Sequence, residues 1–302
     1  VNISRREFLK ATGLTAAALG LNLSGLPGIR EAMAAEGGPR VVWLQGQSCT
    51  GCSVSFLNSI YYTTVDDLLV NTLDVDYHPN LMAAPGHDAV AAAEAARQAG
   101  GYVLVVEGAI PTGDAGRYAY LWDGKTVLDG VREYAERAAY IMAVGTCACY
   151  GGLVAGAPNP TTAQGLRSVL PGRTIVNVPG CPVHPDWLVG TVAYILQNGR
   201  APALDANGRP LDYFRRAVHE NCPLKGTEEV DTLGQYGCLK EIGCRGPTTR
   251  ADCNWRKWNS PGQGQVGVNW CAQAGAPCHG CTEPTFPDGM SPFFDLHDAG
   301  GD

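Results

Sequence analysis

The sequence predicts an α/β protein: an open parallel sheet within residues 36–198, followed by a loop-rich, cysteine-bearing segment over 199–302. Three observations carry this. Short apolar runs alternate with helix-like stretches between residues 40 and 198, the pattern of parallel strands joined by crossover helices. The cysteines of that half fall just past the ends of three of those runs. From Gly199 onward the texture changes to turns rich in Gly, Pro, Asn and Cys, with few apolar runs and no clear period.

The strand candidates are 41–45, 73–78, 102–107, 140–144 and 174–178. Between them 89–98 is Ala-rich, 128–137 is periodic, and 186–197 follows a proline, as the start of a helix often does. Cys49 and Cys52 follow the first strand candidate, Cys147 the fourth and Cys181 the fifth. In open α/β sheets ligands bind in the crevice outside the carboxyl ends of the strands, near the point where strand order reverses, so cysteines distant in the chain can meet there. The segment after residue 198 cannot build an adequate core by itself; metal clusters can hold such a segment, because their binding energy is also folding energy.

Composition narrows the function. Hydrophobic residues make up 45% of the chain and charged residues only 17%, against roughly 25% charged in an average soluble domain, so part of the surface is expected to be covered by a partner. The net charge of −7 argues against nucleic acid as a ligand and leaves room for a basic protein partner. Residues 1–35 read as an export signal of the twin-arginine kind: Ser4-Arg5-Arg6-Glu7-Phe8-Leu9-Lys10, a weakly apolar run, then Ala32-Met33-Ala34-Ala35. The apolar run, broken by Thr12, Thr15, Asn22, Ser24 and Pro27, is too polar for a membrane span. A periplasmic location follows. Twelve cysteines in an exported protein ordinarily mean disulfides, but the twin-arginine route carries proteins already folded in a reducing compartment. Metal is therefore the leading use.

After residue 198 the possible ligands are His219, Cys222, Cys238, Cys244, Cys253, Cys271, Cys278 and Cys281, two sets of four. With Cys49, Cys52, Cys147 and Cys181 they make twelve donors, enough for three four-iron clusters, and Cys149 is left over. The CxxC pairs 49/52 and 278/281 fit either zinc or an iron-sulfur cluster. Each must recruit single cysteines from far away, which suits a large cluster better. Spacing does not choose between His219, three residues before Cys222, and His184, three after Cys181.

Together these residues resemble the nickel-iron hydrogenase small subunit family, and most closely its nickel-iron-selenium branch. The motifs are QGQSCTGCSVSFLNS from Gln45, VEGAIPT from Val106, GTCACYGG from Gly145, NVPGCPVHPDW from Asn177, HENCP from His219, GCLKEIGCRGPTTRADC from Gly237 and NWCAQAGAPCHGCTEPTFPDG from Asn269. The resemblance implies a flavodoxin-like domain over 36–198 and a cluster-binding domain over 199–302, bound to a large subunit that holds the nickel-iron centre. It implies that Cys49, Cys52, Cys147 and Cys181 hold a proximal 4Fe-4S cluster, that Cys253, Cys271, Cys278 and Cys281 hold a medial one, and that His219, Cys222, Cys238 and Cys244 hold a distal one. Many family members have proline where Cys271 stands, with a three-iron medial cluster. Oxygen-tolerant members carry extra cysteines at the positions of Gly51 and Gly152. The implied activity is reversible hydrogen oxidation on the large subunit, with this chain relaying electrons, and a c-type multihaem cytochrome as the external carrier. Glu107 is expected to be a structural carboxylate, and Cys149 a plain buried thiol. A rival reading, the cluster-bearing subunit of another respiratory oxidoreductase, explains only the first four ligands.

Overall fold

The structure, a computed structural model, describes residues 39–262 and 264–292; the predicted signal segment lies outside them. The strands are β1 (Arg40–Gln45), β2 (Asp74–Tyr77), β3 (Val103–Glu107), β4 (Ile110–Pro111), β5 (Tyr140–Val144), β6 (Ala163–Gln164) and β7 (Val176–Val178). Five of them form one parallel sheet in the order β2-β1-β3-β5-β7, and β4 and β6 make a small antiparallel ribbon. The helices that matter for the site are α1 (Gly51–Leu57), α2 (Gly86–Ala99), α3 (Val127–Arg137), α4 (Gly145–Tyr150) and α5 (Pro185–Asn198).

Alternation along the strands splits the core between two faces, because successive side chains of a strand point to opposite sides. Val41, Trp43, Val103, Val105, Met142, Val144, Val176 and Val178 face one way, toward Phe56 of α1 and Trp187, Leu188 and Val189 of α5. Val42, Leu44, Leu104, Val106, Ile141 and Ala143 face the other, toward Ala93 and Ala96 of α2 and Val131 and Tyr134 of α3. Both faces are buried, as parallel sheets require.

Local signals set the helix ends. The Thr126 hydroxyl accepts from the Asp129 N–H at 3.1 Å and so caps α3. Pro185 opens α5, and Gly199 closes it at φ 60, a left-handed conformation that suits glycine. The predicted strand 174–178 is shorter than expected, starting at Val176, because only Val176 to Val178 find partners on β5. Helices α1 and α4 have no counterpart in the sequence pattern. They are short, rich in Ser, Cys and Gly, and their N-cap residues Thr50 and Val144 make no side-chain cap bond.

Beyond α5 the described chain is turns and helices of at most four residues. Its apolar residues make no separate core: Phe214, Val218, Leu239, Ile242 and Trp270 join the cluster on the α5 side of the sheet. The two regions are further tied by Arg256, fully buried, which pairs with Asp252 at 2.8 Å and with Asp186 of α5 at 3.4 Å. No helix among the described residues is long and apolar enough to cross a membrane.

Candidate metal centres

Strand order reverses between β1 and β3, and the crevice at their carboxyl ends is where Cys49 and Cys52 emerge. Glu107, the last residue of β3, organises that loop from beneath. Its Oε1 accepts from the Ser48 hydroxyl at 3.0 Å and from the Cys52 and Ser53 N–H groups at 3.1 and 3.3 Å. Its Oε2 accepts from Trp43 Nε1 at 3.1 Å, Gln45 Nε2 at 3.0 Å and the Ser53 hydroxyl at 2.5 Å. A fully buried carboxylate with six donors is a fixed scaffold for the CxxC loop, in line with the structural role expected for it.

Cys147, on α4 after β5, and Cys181, after β7, close on the same crevice. Burial pushes the Cys52 thiol well up, and Glu107, Cys147 and Cys181 push it further. Burial, then Cys147 and Cys49, raise Cys181 to about 11. Cys52 and Cys181 therefore both lie near Cys147. Glycine makes the closeness possible: a Cβ on Gly145, at φ 81, would lie 2.4 Å from Cys52 Sγ. A Cβ on Gly152, at φ 53, would lie 2.8 Å from Cys147 N and 2.9 Å from its Sγ. Gly51 is less constrained, its nearest neighbour being Cys49 Sγ at 3.1 Å.

In the second region Cys253, Cys271, Cys278 and Cys281 come together. Burial first, then Cys281, Cys278 and Cys271, push Cys253 well up, and burial raises Cys278 to about 11 with Cys244 and Cys271 adding to it. His219, Cys222, Cys238 and Cys244 form the other group. Cys222 is raised by burial and by Cys244 and Cys238, and a Cβ on Gly246 would touch Cys244 Sγ at 3.4 Å and His219 Cβ at 3.8 Å. Cys244 also lies beside Cys271 and Cys278, so the two groups adjoin.

His184 belongs to none of them. Its Nδ1 accepts from the Asp186 N–H at 3.1 Å and caps α5, so Nε2 carries the proton and donates to the Lys257 carbonyl at 2.6 Å. The ring stacks 4.4 Å from Trp258, and burial pushes its pKa down to about 3. Both nitrogens are engaged by backbone groups, so neither is open to a metal. Cys149 is buried and its thiol donates to the Ala143 carbonyl at 3.3 Å, as a plain core thiol does. Sequence reading missed Thr146 and Arg245, whose partners are distant in the chain and leave no local signal, and Arg256, which adds the distant Asp186 to the local Asp252.

The donor chemistry fits clusters of soft metal. All twelve cysteines are free. Thiols as buried as Cys52, Cys253 and Cys281 stay protonated at neutral pH unless a cation replaces the proton, and a coordinating metal deprotonates a thiol outright. Among the described residues no three His, Cys, Asp or Glu converge as the ligands of a single ion do; around a multi-iron cluster each donor meets its own iron, so the donors stand further apart. Next to Cys271, the buried Trp270 Nε1 has no acceptor, a donor available to a cluster sulfur.

An open parallel sheet with thiols at its switch point, continued by a cysteine-rich coil, is the build of an oxidoreductase subunit. Residues 49–195 match the NADH ubiquinone oxidoreductase 20 Kd subunit family, residues 214–294 the family of the C-terminal region of NiFe/NiFeSe hydrogenase small subunits, and residues 2–21 the twin-arginine translocation pathway signal. The chain is 40% identical to the periplasmic [NiFeSe] hydrogenase small subunit of Desulfomicrobium baculatum, over 97% of this chain and 99% of that one. It is 39% identical to the periplasmic [NiFe] hydrogenase small subunit 1 of Nitratidesulfovibrio vulgaris, over 97% and 93%. A crystal structure of the reduced, active Ni-Fe-Se hydrogenase from Desulfomicrobium baculatum superposes with a TM-score of 0.79 at 39% identity, over 85% of this chain and 98% of that one. The chain belongs to the family of nickel-iron hydrogenase small subunits. It is an exported, periplasmic electron-transfer subunit of a hydrogenase that works beside a large subunit. The match of residues 214–294 disfavours the rival reading, which left that segment unexplained.

Proposed function

We propose that this chain holds three 4Fe-4S clusters and relays electrons between the nickel-iron centre of the large subunit and a c-type multihaem cytochrome. Cys49, Cys52, Cys147 and Cys181 hold the proximal cluster, Cys253, Cys271, Cys278 and Cys281 the medial, and His219, Cys222, Cys238 and Cys244 the distal. The observation that carries this is the order of the sets in space. The Cys278 N–H donates to Cys244 Sγ at 3.3 Å, and the Cys281 carbonyl accepts from the hydroxyl of Thr146, the neighbour of Cys147, which supports a medial set adjoining both others. The clusters supply one-electron carriage; the chain supplies their spacing, their burial and the hydrogen bonds that tune them.

The ends of the relay differ in surface. Around the exposed Cys49 stand Val54, Leu57 and Leu153, large apolar side chains on the surface that suit a tight subunit interface. Near Cys238 the exposed Glu228, Glu229 and Asp231, with Glu241, outnumber Lys225 and Lys240, which favours a basic carrier. His219, a neutral donor in place of a thiolate, raises the potential of the exit cluster.

Anaerobically purified holoprotein is expected to contain about twelve irons per chain, the content of three filled four-iron clusters. Cys271→Pro is expected to convert one cluster to a three-iron form, seen as a new paramagnetic signal in the oxidised protein. Among the described residues the Cys271 N–H makes no backbone–backbone hydrogen bond, so proline removes none there. An unchanged iron count and signature in that variant would reject the medial assignment.

A further inference from the structure

One buried guanidinium holds two segments that are far apart in the chain. The turn 205–209 hangs on β7: the Asn177 N–H donates to the Gly208 carbonyl at 2.8 Å, and the Asn177 side-chain amide donates to the Asn207 carbonyl at 2.7 Å. Asp205 closes the turn, its Oδ1 accepting from the Asn207 and Arg209 N–H groups at 2.9 Å each. From there the Arg209 side chain, in a residue only 1% exposed, crosses to the residues that follow Cys281. Its Nε donates to Asp205 Oδ2 at 2.8 Å, and one terminal nitrogen donates to Glu283 Oε1 at 2.9 Å and to the Thr282 carbonyl at 3.2 Å.

Glu283 Oε1 also accepts from the Arg250 N–H at 2.6 Å, and the Thr282 hydroxyl donates to the Arg250 carbonyl at 3.0 Å. The two residues after Cys281 are thus gripped by Arg209 on one side and by the Arg250 peptide on the other. On the far side of the turn, β7 leads to Cys181, three residues past its end. The strand that delivers Cys181 and the segment that carries Cys281 are therefore referenced to each other through Arg209. A buried ion triad is in general no more stabilising than an apolar trio of the same volume. What an apolar trio could not do is set the field at the neighbouring cysteine. Arginine keeps its charge at any working pH, and a buried charge is little screened by salt. A cation beside a cluster favours its reduced form and raises its potential, and a carboxylate does the reverse.

We infer that Arg209 is a positioning residue for electron transfer: it fixes the Cys281 segment against β7, and its charge, opposed by that of Glu283, sets the potential of the cluster that Cys281 holds. The inference rests on the three-cluster reading above. Arg209 takes up no electron and gives up no proton; it acts only through the cluster beside it.

The test measures the midpoint potentials of the clusters in the complete hydrogenase carrying Arg209→Gln, Arg209→Lys or Glu283→Gln. Iron content and cluster signatures of the unaltered protein come first; fewer than three clusters there would sink the three-cluster reading, whereas the inference stands or falls on the signs of the shifts. Arg209→Gln is expected to lower the medial potential, and Glu283→Gln, whose amide oxygen can still accept both hydrogen bonds, to raise it. Arg209→Lys keeps the charge and loses the fork, and should stay close to the unaltered value. Hydrogen oxidation with the external carrier is expected to slow several-fold in Arg209→Gln, while hydrogen–deuterium exchange at the nickel-iron centre is unchanged. A role in packing alone would loosen the segment in every variant and move the potentials the same way. Shifts of one sign in the two Gln variants, or no shift in either, would overturn the inference. Should Arg209→Gln fail to take up iron, Glu283→Gln decides: a raised medial potential supports the inference, and an unmoved or lowered one overturns it.

Discussion

The sheet region and the region after α5 are stabilised by different means, although one apolar cluster runs through both. In the first, strands from β1 to β7 bury side chains on two faces, and the candidate ligand cysteines sit at its edge. In the second, the described helices do not exceed four residues, and eight possible ligands, His219 to Cys281, are spread through turns. What that stretch has besides turns is a few side chains lent to the sheet's core and the buried Arg256, whose guanidinium also lies 5.0 Å from the Tyr213 ring. The comparison teaches that cysteine can be a guest in one part of a chain and the framework in another. The first region would fold to make its site, whereas the second needs its sites to fold.

The sharpest way to break this comparison is to remove iron. Protein assembled without iron is expected to lose amide protection across 214–292 while β1, β3 and β5 remain protected, as measured by hydrogen exchange. Equal loss in both regions would show that they are one cooperative unit. A smaller effect is expected from Gly152→Ala. Its Cβ would fall 2.8 Å from Cys147 N at φ 53, so the fold should survive while one cluster, about four irons, is lost. Gly51→Ala, with only the movable Cys49 Sγ nearby at 3.1 Å, should retain it. For the same reason the extra cysteine of oxygen-tolerant members does not fit at 152 unless the Cys147 loop shifts.

The smallest effect lies at the seam, where His184 caps α5 and donates to Lys257 of the second region. Its folded pKa of about 3 lies below its unfolded value, near 6.5. The native state therefore loses stability as pH falls through that window, by at most about 1.4 kcal/mol per pH unit. Asp186, raised to about 6 by burial, acts oppositely and gains stability as pH falls below that value. His184→Asn, which can still cap but cannot charge, is expected to flatten the acid limb of a denaturation profile while losing about 1 kcal/mol at neutral pH. A profile as steep as that of the unaltered protein would show that another group titrates.

The eleven cysteines proposed as donors stand out as candidates because cysteine declares its chemistry by type, and strand runs such as 140–144 because period-two burial is a local property. The short helices carrying Cys52 and Cys147 were not legible, since their conformation is imposed by Glu107 and the sheet above which they sit.

The amino-acid sequence by itself determined the family, the sheet and the candidate ligands. Only tertiary structure decided which imidazole is a cap, that a side chain on Gly152 would displace Cys147, and that Thr146 bonds to the Cys281 carbonyl. The reason is physical. Periodicity and donor type act over a few residues, whereas a hydrogen bond from Thr146 to the Cys281 carbonyl exists only once 135 residues of chain have folded back.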